Sequence, residues 1–323
     1  MIYFWSKIEN GVLSGGNNFL SNLRQYLEDQ KLYTPHRSAA SSILVDSYHN
    51  LISGLSYKLR RPHIYFIYRF GPIFHLHRSS AWKLVDKIMI TTANYCADLV
   101  IFQSNWSLEQ ARLLGFKATT PYRVIYNGVD TKIFKKESHS LSAKIKLIAT
   151  SWSSNFNKGF SFLEYLDSHL DWKKYELTFI GNSPLKFKNI NQSPPQPRHE
   201  LATLLQHHDI YISPTKDDAC SNALLEALAC GLPVVALDSG ANSELVGTGG
   251  ILFNSSDDLI PDLEEAVLHY ATLQNDIEMF TLQKSAAQYV RVIKAAETKS
   301  PRKVSLFQYC KALSFFIVFL IRR

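Results

Sequence analysis

Residues 213–253 read SPTKDDACSNALLEALACGLPVVALDSGANSELVGTGGILF, and the order of residue types in this stretch decides the fold. Residues Ile210 to Ser213 end a strand, Thr215 to Ser221 form a polar loop, and Ala223 to Ala229 begin a helix. The first amides of a helix lack intrahelical acceptors, so a helix opening just beyond a strand can hold an anion such as phosphate. Ser221 and Asn222 suit the cap, and the small Ala223 and Ala227 leave room for a ligand to approach. Glu226 falls just inside the helix and Asp218 eight residues earlier on the loop. Taken alone, the same pattern also describes an ordinary capped helix whose acids favour the positive end of its dipole.

Two upstream segments carry related chemistry. The strand Ile145 to Thr150 leads into SWSSNFNKGF, residues 151–160, where Lys158 offers a point charge and Gly159 lets the backbone turn closely. Ser153 and Asn155 supply hydroxyl and amide donors on that loop, and Gly181 follows the next strand, Leu177 to Ile180. In VIYNGVDTKIF, residues 124–134, Asn127-Gly128 makes a tight turn that Val129, Ile133 and Phe134 can pack down.

Together these segments resemble the retaining family-4 glycosyltransferases, also called glycosyl transferases group 1. The donor signature of that family is an acid, seven residues, a glutamate and an Ala-x-Ala-x-Gly-x-Pro-Val-Val run. Here it reads Asp218-x7-Glu226, followed by Ala227, Ala229, Gly231, Pro233, Val234 and Val235. The family usually has glutamate where this chain has Asp218. It often has an arginine where this chain has Trp152, and the Trp152, Ser153, Asn155, Lys158, Gly159 pattern matches a subgroup. The resemblance implies that Lys158 contacts the donor diphosphate, that Asp218 orients the sugar, and that Glu226 accepts hydrogen bonds from the ribose. It also implies that the amides around Ser221, Asn222, Ala223 and Leu224 face the phosphates, and that the reaction is a front-face displacement. Its implied architecture is α/β: GT-B, two facing Rossmann-like domains with parallel sheets.

The rest of the sequence is consistent with two domains. A chain of 323 residues with 46% hydrophobic content can build two sizeable cores. Strands are expected at residues 2–4, 43–45, 64–67, 99–103, 123–126, 146–149, 177–180, 210–213, 234–236 and 251–253. Helical periodicity falls at residues 17–28, 82–96, 107–114, 160–169, 200–207 and 262–273. Such alternation implies parallel sheets with ligands beyond the C-terminal strand ends. The expected organisation is an acceptor-side domain over 1–134, a linker over 135–144, a nucleotide-sugar-binding domain over 145–300 and a tail over 301–323. In the first domain, Gly16 within Ser14-Gly15-Gly16-Asn17 and Arg69 after the third strand are candidate cleft residues. His49, His75 and His77 compete for any imidazole role.

Several functions are disfavoured. His199-Glu200 lacks the second histidine of a zinc-protease helix, because position 203 is Thr203. No Asp-x-Asp motif occurs, so neither metal nor cofactor is expected, and lysine and helix amides are left to neutralise the donor phosphates. The net charge of +7 comes without a recognisable nucleic-acid module. Four cysteines without Cys-x-x-Cys spacing, and no signal peptide before the first strand, point to the cytoplasm.

Residues 302–323, RKVSLFQYCKALSFFIVFLIRR, hold a ten-residue apolar run flanked by Lys311, Arg322 and Arg323. About 20 residues are needed to span a bilayer. An interfacial segment on an anionic leaflet and a final helix packing back on the first domain therefore stand as alternatives. The expected partners are a nucleotide-sugar donor and a glycan or lipid-linked acceptor, with peripheral membrane contact through this tail. A nucleotide-sugar epimerase or phosphorylase of the same fold, and a catalytically weak glycan-binding subunit, stand as alternative functions.

Overall fold

The computed structural model describes residues 1–6, 15–48, 50–137 and 140–322. The chain divides into two compact units. One comprises β1 with residues 20–126 and 283–322, and the other comprises residues 127–282 with residues 15–19.

The first unit runs β1 (Ile2–Phe4), α1 (Gly15–Asp29, of which residues 20–29 belong to this unit), β2 (Ser42–Asp46), α2 (Leu51–Arg60), β3 (Tyr65–Arg69), α3 (Phe74–His77), α4 (Lys83–Tyr95), β4 (Leu99–Phe102), α5 (Asn105–Leu113) and β5 (Tyr122–Val124). Its five strands are parallel and lie in chain order. Residues 43–45 of β2, 65–68 of β3 and all of β4 form a buried, largely apolar run, as parallel sheets covered by helices require.

The second unit runs β6 (Ile145–Ser151), α6 (Phe160–His169), β7 (Tyr175–Gly181), β8 (Asn191–Ser193), α7 (Arg198–Gln206), β9 (Ile210–Ser213), α8 (Asn222–Ala229), β10 (Val234–Leu237), α9 (Asn242–Val246), β11 (Gly250–Phe253), α10 (Ser256–Leu268) and α11 (Tyr270–Asn275). Its six parallel strands have the order β11-β10-β9-β6-β7-β8. The chain therefore moves outward in one direction from β6 and returns to build in the other from β9. That reversal makes a crevice beyond the C-terminal ends of β6 and β9, where open α/β sheets bind ligands.

Two further helices, α12 (Leu282–Glu297) and α13 (Leu306–Arg322), follow. From residue 283 the chain belongs to the first unit, whose core takes in Val304, Ala312 and Phe319. The division between the units falls at 126/127 where 134 was expected, and residues 283–300, expected with the second domain, lie in the first unit. The stretch expected as a linker lies in the second unit, with residues 138 and 139 outside the described set.

Three other expectations change. The helix expected at 262–273 starts at Ser256, where Ser255 and Asp258 form a capping box, and a break at His269 separates α10 from α11. The helix expected from Ser107 starts at Asn105, with the Ser104 hydroxyl accepting the Ser107 amide. α2 was not expected. Its sequence, LISGLSYKLR, places Lys58 at a position that is fully buried.

Lys58 is accommodated by pairing. Its Nζ donates to Asp98 at 2.9 Å and to the Ile64 carbonyl at 2.5 Å. Asp98 also accepts the Phe66 amide at 2.6 Å and the Arg302 amide. One buried carboxylate thus joins α2, β3 and the returning C-terminal segment, and burial pushes the Lys58 ammonium below its ordinary range.

Candidate functional site

The loop leaving β6 is organised by its own polar groups. The Ser151 hydroxyl donates to the Ser153 carbonyl at 2.8 Å, the Ser153 hydroxyl accepts the Asn155 amide at 3.2 Å, and the Asn155 side chain accepts the Asn157 amide at 3.0 Å. Ser153 and Asn155, expected to face the donor, therefore also hold the loop's shape. The loop ends at Gly159, whose φ of +79° favours glycine. A Cβ there would come within 2.1 Å of the Pro214 carbonyl oxygen, so only glycine allows this approach to the chain leaving β9. The Lys216 amide donates to the Asn157 carbonyl at 2.8 Å and completes the seam.

Across that seam, Lys158 Nζ donates to Asp218 Oδ2 at 2.9 Å, with both side chains partly exposed. The two residues singled out from separate motifs are therefore in contact at the strand-order reversal. Asp218 is held from behind: its Oδ1 accepts the Cys220 amide, and its carbonyl accepts the Ala241 amide at 2.9 Å. Gly240, with φ +65°, lies so close that a Cβ would be 2.6 Å from the Asp218 nitrogen and oxygen. Asn242, fully buried, donates to the Thr215 and Leu237 carbonyls and braces the same loop. Gly240 and Asn242 were not read as site residues. Their only signal was the turn-forming Asp-Ser-Gly before the short helix.

Next to Asp218, α8 opens with Ser221 as its cap, the hydroxyl accepting the Leu224 amide at 3.4 Å. Leu224 buries its side chain completely and its amide serves the cap, so its part in the site is structural. The amides of Asn222 and Ala223 occupy the first turn, where helix geometry provides no intrahelical acceptor and the dipole is positive. Asn222 Oδ1 accepts Asn127 Nδ2 at 3.2 Å, so the Asn-Gly turn is tied to this helix start. Glu226 lies one turn further in. Burial pushes its carboxyl up to about 7, opposed by the charge of Arg198.

The remaining candidates are placed differently. Gly181, with φ +139°, is explained by the sheet, since a Cβ there would be 1.8 Å from the Ser151 carbonyl oxygen. Gly16 lies in the first turn of α1; Ser14 and His49 lie outside the described residues. Arg69, expected to face a cleft, is instead 3% exposed in a strand buried at every position. Its guanidinium donates to Asp46 at 2.5 Å and Gln103 at 2.6 Å, because a charge in that environment must be paired inside the unit. His75, partly exposed, holds Asp86 at 2.6 Å through Nδ1, and Asp86 also accepts the Phe74 and His75 amides. Asp86 gave no local signal, being eleven residues away in α4.

A lysine, an acid and a helix start thus lie together at the strand-order reversal of a parallel sheet, the place where open α/β units bind ligands. With a second parallel α/β unit beside it in the chain, the fold is GT-B. Residues 153–272, all within the second unit, match the family model described as glycosyl transferases group 1. The chain is similar to the sulfoquinovosyl transferase SQD2 of Arabidopsis thaliana, 25% identical over 215 residues that make up 59% of this chain. The match spans only 41% of that relative's length. Among solved structures, Anabaena HepE in complex with UDP and glucose superposes with a TM-score of 0.74 at 16% identity, covering 91% of this chain and 99% of that one. The sucrose-phosphate synthase of Thermosynechococcus elongatus gives 0.71 at 14% identity, covering 91% of this chain and 98% of that one.

Proposed function

We propose that this protein is a retaining glycosyltransferase that moves a sugar from a nucleotide diphosphate sugar to a hydroxyl of a glycan or lipid-linked acceptor. The observation that carries the reading is the 2.9 Å contact between Lys158 and Asp218 beside the open turn of α8. A donor diphosphate would compete with Asp218 for the Lys158 ammonium, and the amides of Asn222 and Ala223 would share its charge. Released from the lysine, the Asp218 carboxylate can accept hydrogen bonds from sugar hydroxyls. Glu226 would accept from the ribose.

In the transfer, the bond from the anomeric carbon to the diphosphate oxygen breaks and the bond to the acceptor oxygen forms on the same face. The acceptor proton passes to the departing phosphate oxygen. Lys158 and the helix amides act where negative charge grows on the leaving group, which is where preorganised electrostatics lower a barrier most. The UDP in the HepE complex makes a UDP-linked sugar the donor to try first.

The test is a screen of UDP-sugars for donor consumption with and without acceptor hydroxyls, with the product anomer read by NMR. Retention of the donor's anomeric configuration is the expected result. An inverted product overturns the mechanism. Tight UDP binding without consumption of any donor by any acceptor favours a binding subunit instead.

A further inference from the structure

Helix α13 has two apolar faces, and the fold uses one of them. On the inner face, Ala312 and Phe319 are buried in the first unit's core, and Phe319 meets Trp82 edge-on at 5.0 Å between ring centroids. Tyr309 packs on the same core and shares a 2.8 Å hydrogen bond with Ser56 of α2. The two alternatives read from the sequence therefore do not exclude each other, since packing on the first unit commits only part of the helix.

The outward side carries Leu306, Phe307, Ile317, Val318, Leu320 and Ile321, exposed by between 37% and 78%. At 100° per residue, Leu306, Phe307, Ile317, Val318 and Ile321 fall within one third of the helix circumference, with Cys310 and Ser314 among them. The other large apolar side chains exposed among the described residues are Met1, Leu113, Trp152, Phe156 and Leu268, which lie apart from α13 in the sequence. A contiguous apolar face of this kind marks an interaction surface.

Charge identifies what covers it. Residues 298–323 contain no aspartate or glutamate, while Lys299, Arg302, Lys303, Lys311, Arg322 and Arg323 are basic. Lys303 and Lys311 are exposed, as are Lys83 and Lys87 on α4, the helix against which α13 packs. A second copy meeting this face through its own α13 would bring like charges together without an acid to offset them. An anionic lipid surface supplies both an apolar layer and the opposite charge. Among the described residues no helix is long and apolar enough to cross a membrane. A 17-residue helix, roughly 25 Å long and held along one side by the protein, can only lie in the plane of the interface.

We infer that the outward face of α13 is a docking surface for an anionic membrane, with Leu306, Phe307, Ile317 and Ile321 entering the acyl boundary and Lys303 and Lys311 facing the phosphates. The inference is independent of the transferase reading, since it uses only the first unit's surface.

Deleting the helix would remove Ala312 and Phe319 from the core, so the test uses outward positions in the full chain. The protein is sedimented with phosphatidylglycerol-containing vesicles and with pure phosphatidylcholine vesicles. The comparison variants are Phe307→Ser/Ile317→Ser/Ile321→Ser and Lys303→Glu/Lys311→Glu, each checked for an unchanged melting temperature. Binding to the anionic vesicles should fall about tenfold or more in each variant, and in the parent at about 0.5 M salt. Failure of the parent to bind anionic vesicles, or equal binding by a folded triple-serine variant, overturns the inference. So does lipid-free dimerisation of the parent that the triple-serine variant abolishes while vesicle binding is absent.

Discussion

The two units place charge at their strand ends in opposite ways. In the second, Lys158 and Asp218 remain partly open to solvent, while the loops beneath them are fixed by backbone contacts at Gly159 and Gly240. In the first, Arg69 with Asp46 and Gln103, and Lys58 with Asp98, are closed inside the unit. The same residue types are thus left accessible to solvent in one unit and closed into the fold in the other. What separates them is whether partners inside the protein use up their hydrogen-bonding capacity. A buried charge with its partners in place adds little net stability, whereas removing one partner leaves the other unpaired. A partly exposed pair has little stability to lose.

Substitutions can break or sharpen this contrast. The largest effect should come from Asp98→Ala, which strands the Lys58 ammonium in the core and leaves the Phe66 and Arg302 amides without their acceptor. It should cost about 3 to 5 kcal/mol and lower the melting temperature by roughly 10 °C. A calorimetric melt within about 2 °C of the parent would show that the first unit's charges are not structural.

Lys158→Ala should behave in the opposite manner, with an unchanged melt and donor turnover reduced about 10- to 100-fold by loss of a charge-assisted phosphate contact. Undiminished steady-state turnover in a folded variant would remove Lys158 from the site.

The smallest effect concerns Glu226, whose carboxyl is raised from 4.5 to about 7 by burial. Its protonated form is favoured in the folded state, so its contribution to stability is fully present below about 4.5 and is lost as pH rises through about 7. Ligand binding runs the other way, because ribose hydroxyls need the ionised acceptor. Uridine carries that ribose without a phosphate that titrates in the same range. Its affinity, read by calorimetry, should weaken severalfold, at most about tenfold per unit, as pH falls below about 7. Glu226→Gln should flatten that dependence, and an identical pH profile in both proteins would assign Glu226 to its helix alone.

Much of the second unit was legible because its chemistry is local. Lys158 and Gly159 are adjacent in sequence, Asp218 to Glu226 fit within nine residues, and the contact between the two loops follows once β6 and β9 are neighbours at the reversal of strand order. The first unit was less legible because its decisive contacts are distant. Arg69 looked like a cleft residue at a strand end until its partners, 23 and 34 residues away, were brought to it. α2 carries Lys58 on a side that the fold buries, and the Asp98 that pairs with it is 40 residues further on. The α10 error was of another kind, since the capping pair Ser255 and Asp258 was present in the sequence and the apolar period alone placed the start too late.

The return of residues 283–322 to the first unit also sets a timetable for synthesis. The second unit's sheet and its helices α6 to α11 come from the single run 127–282, so they can assemble as soon as that run has left the ribosome. The first unit, begun earlier, must wait with Asp98 lacking its Arg302 partner and its core lacking Val304, Ala312 and Phe319. The half made first is therefore the half finished last, and the parts of α2 and α4 that α13 covers have no cover until α13 has been made.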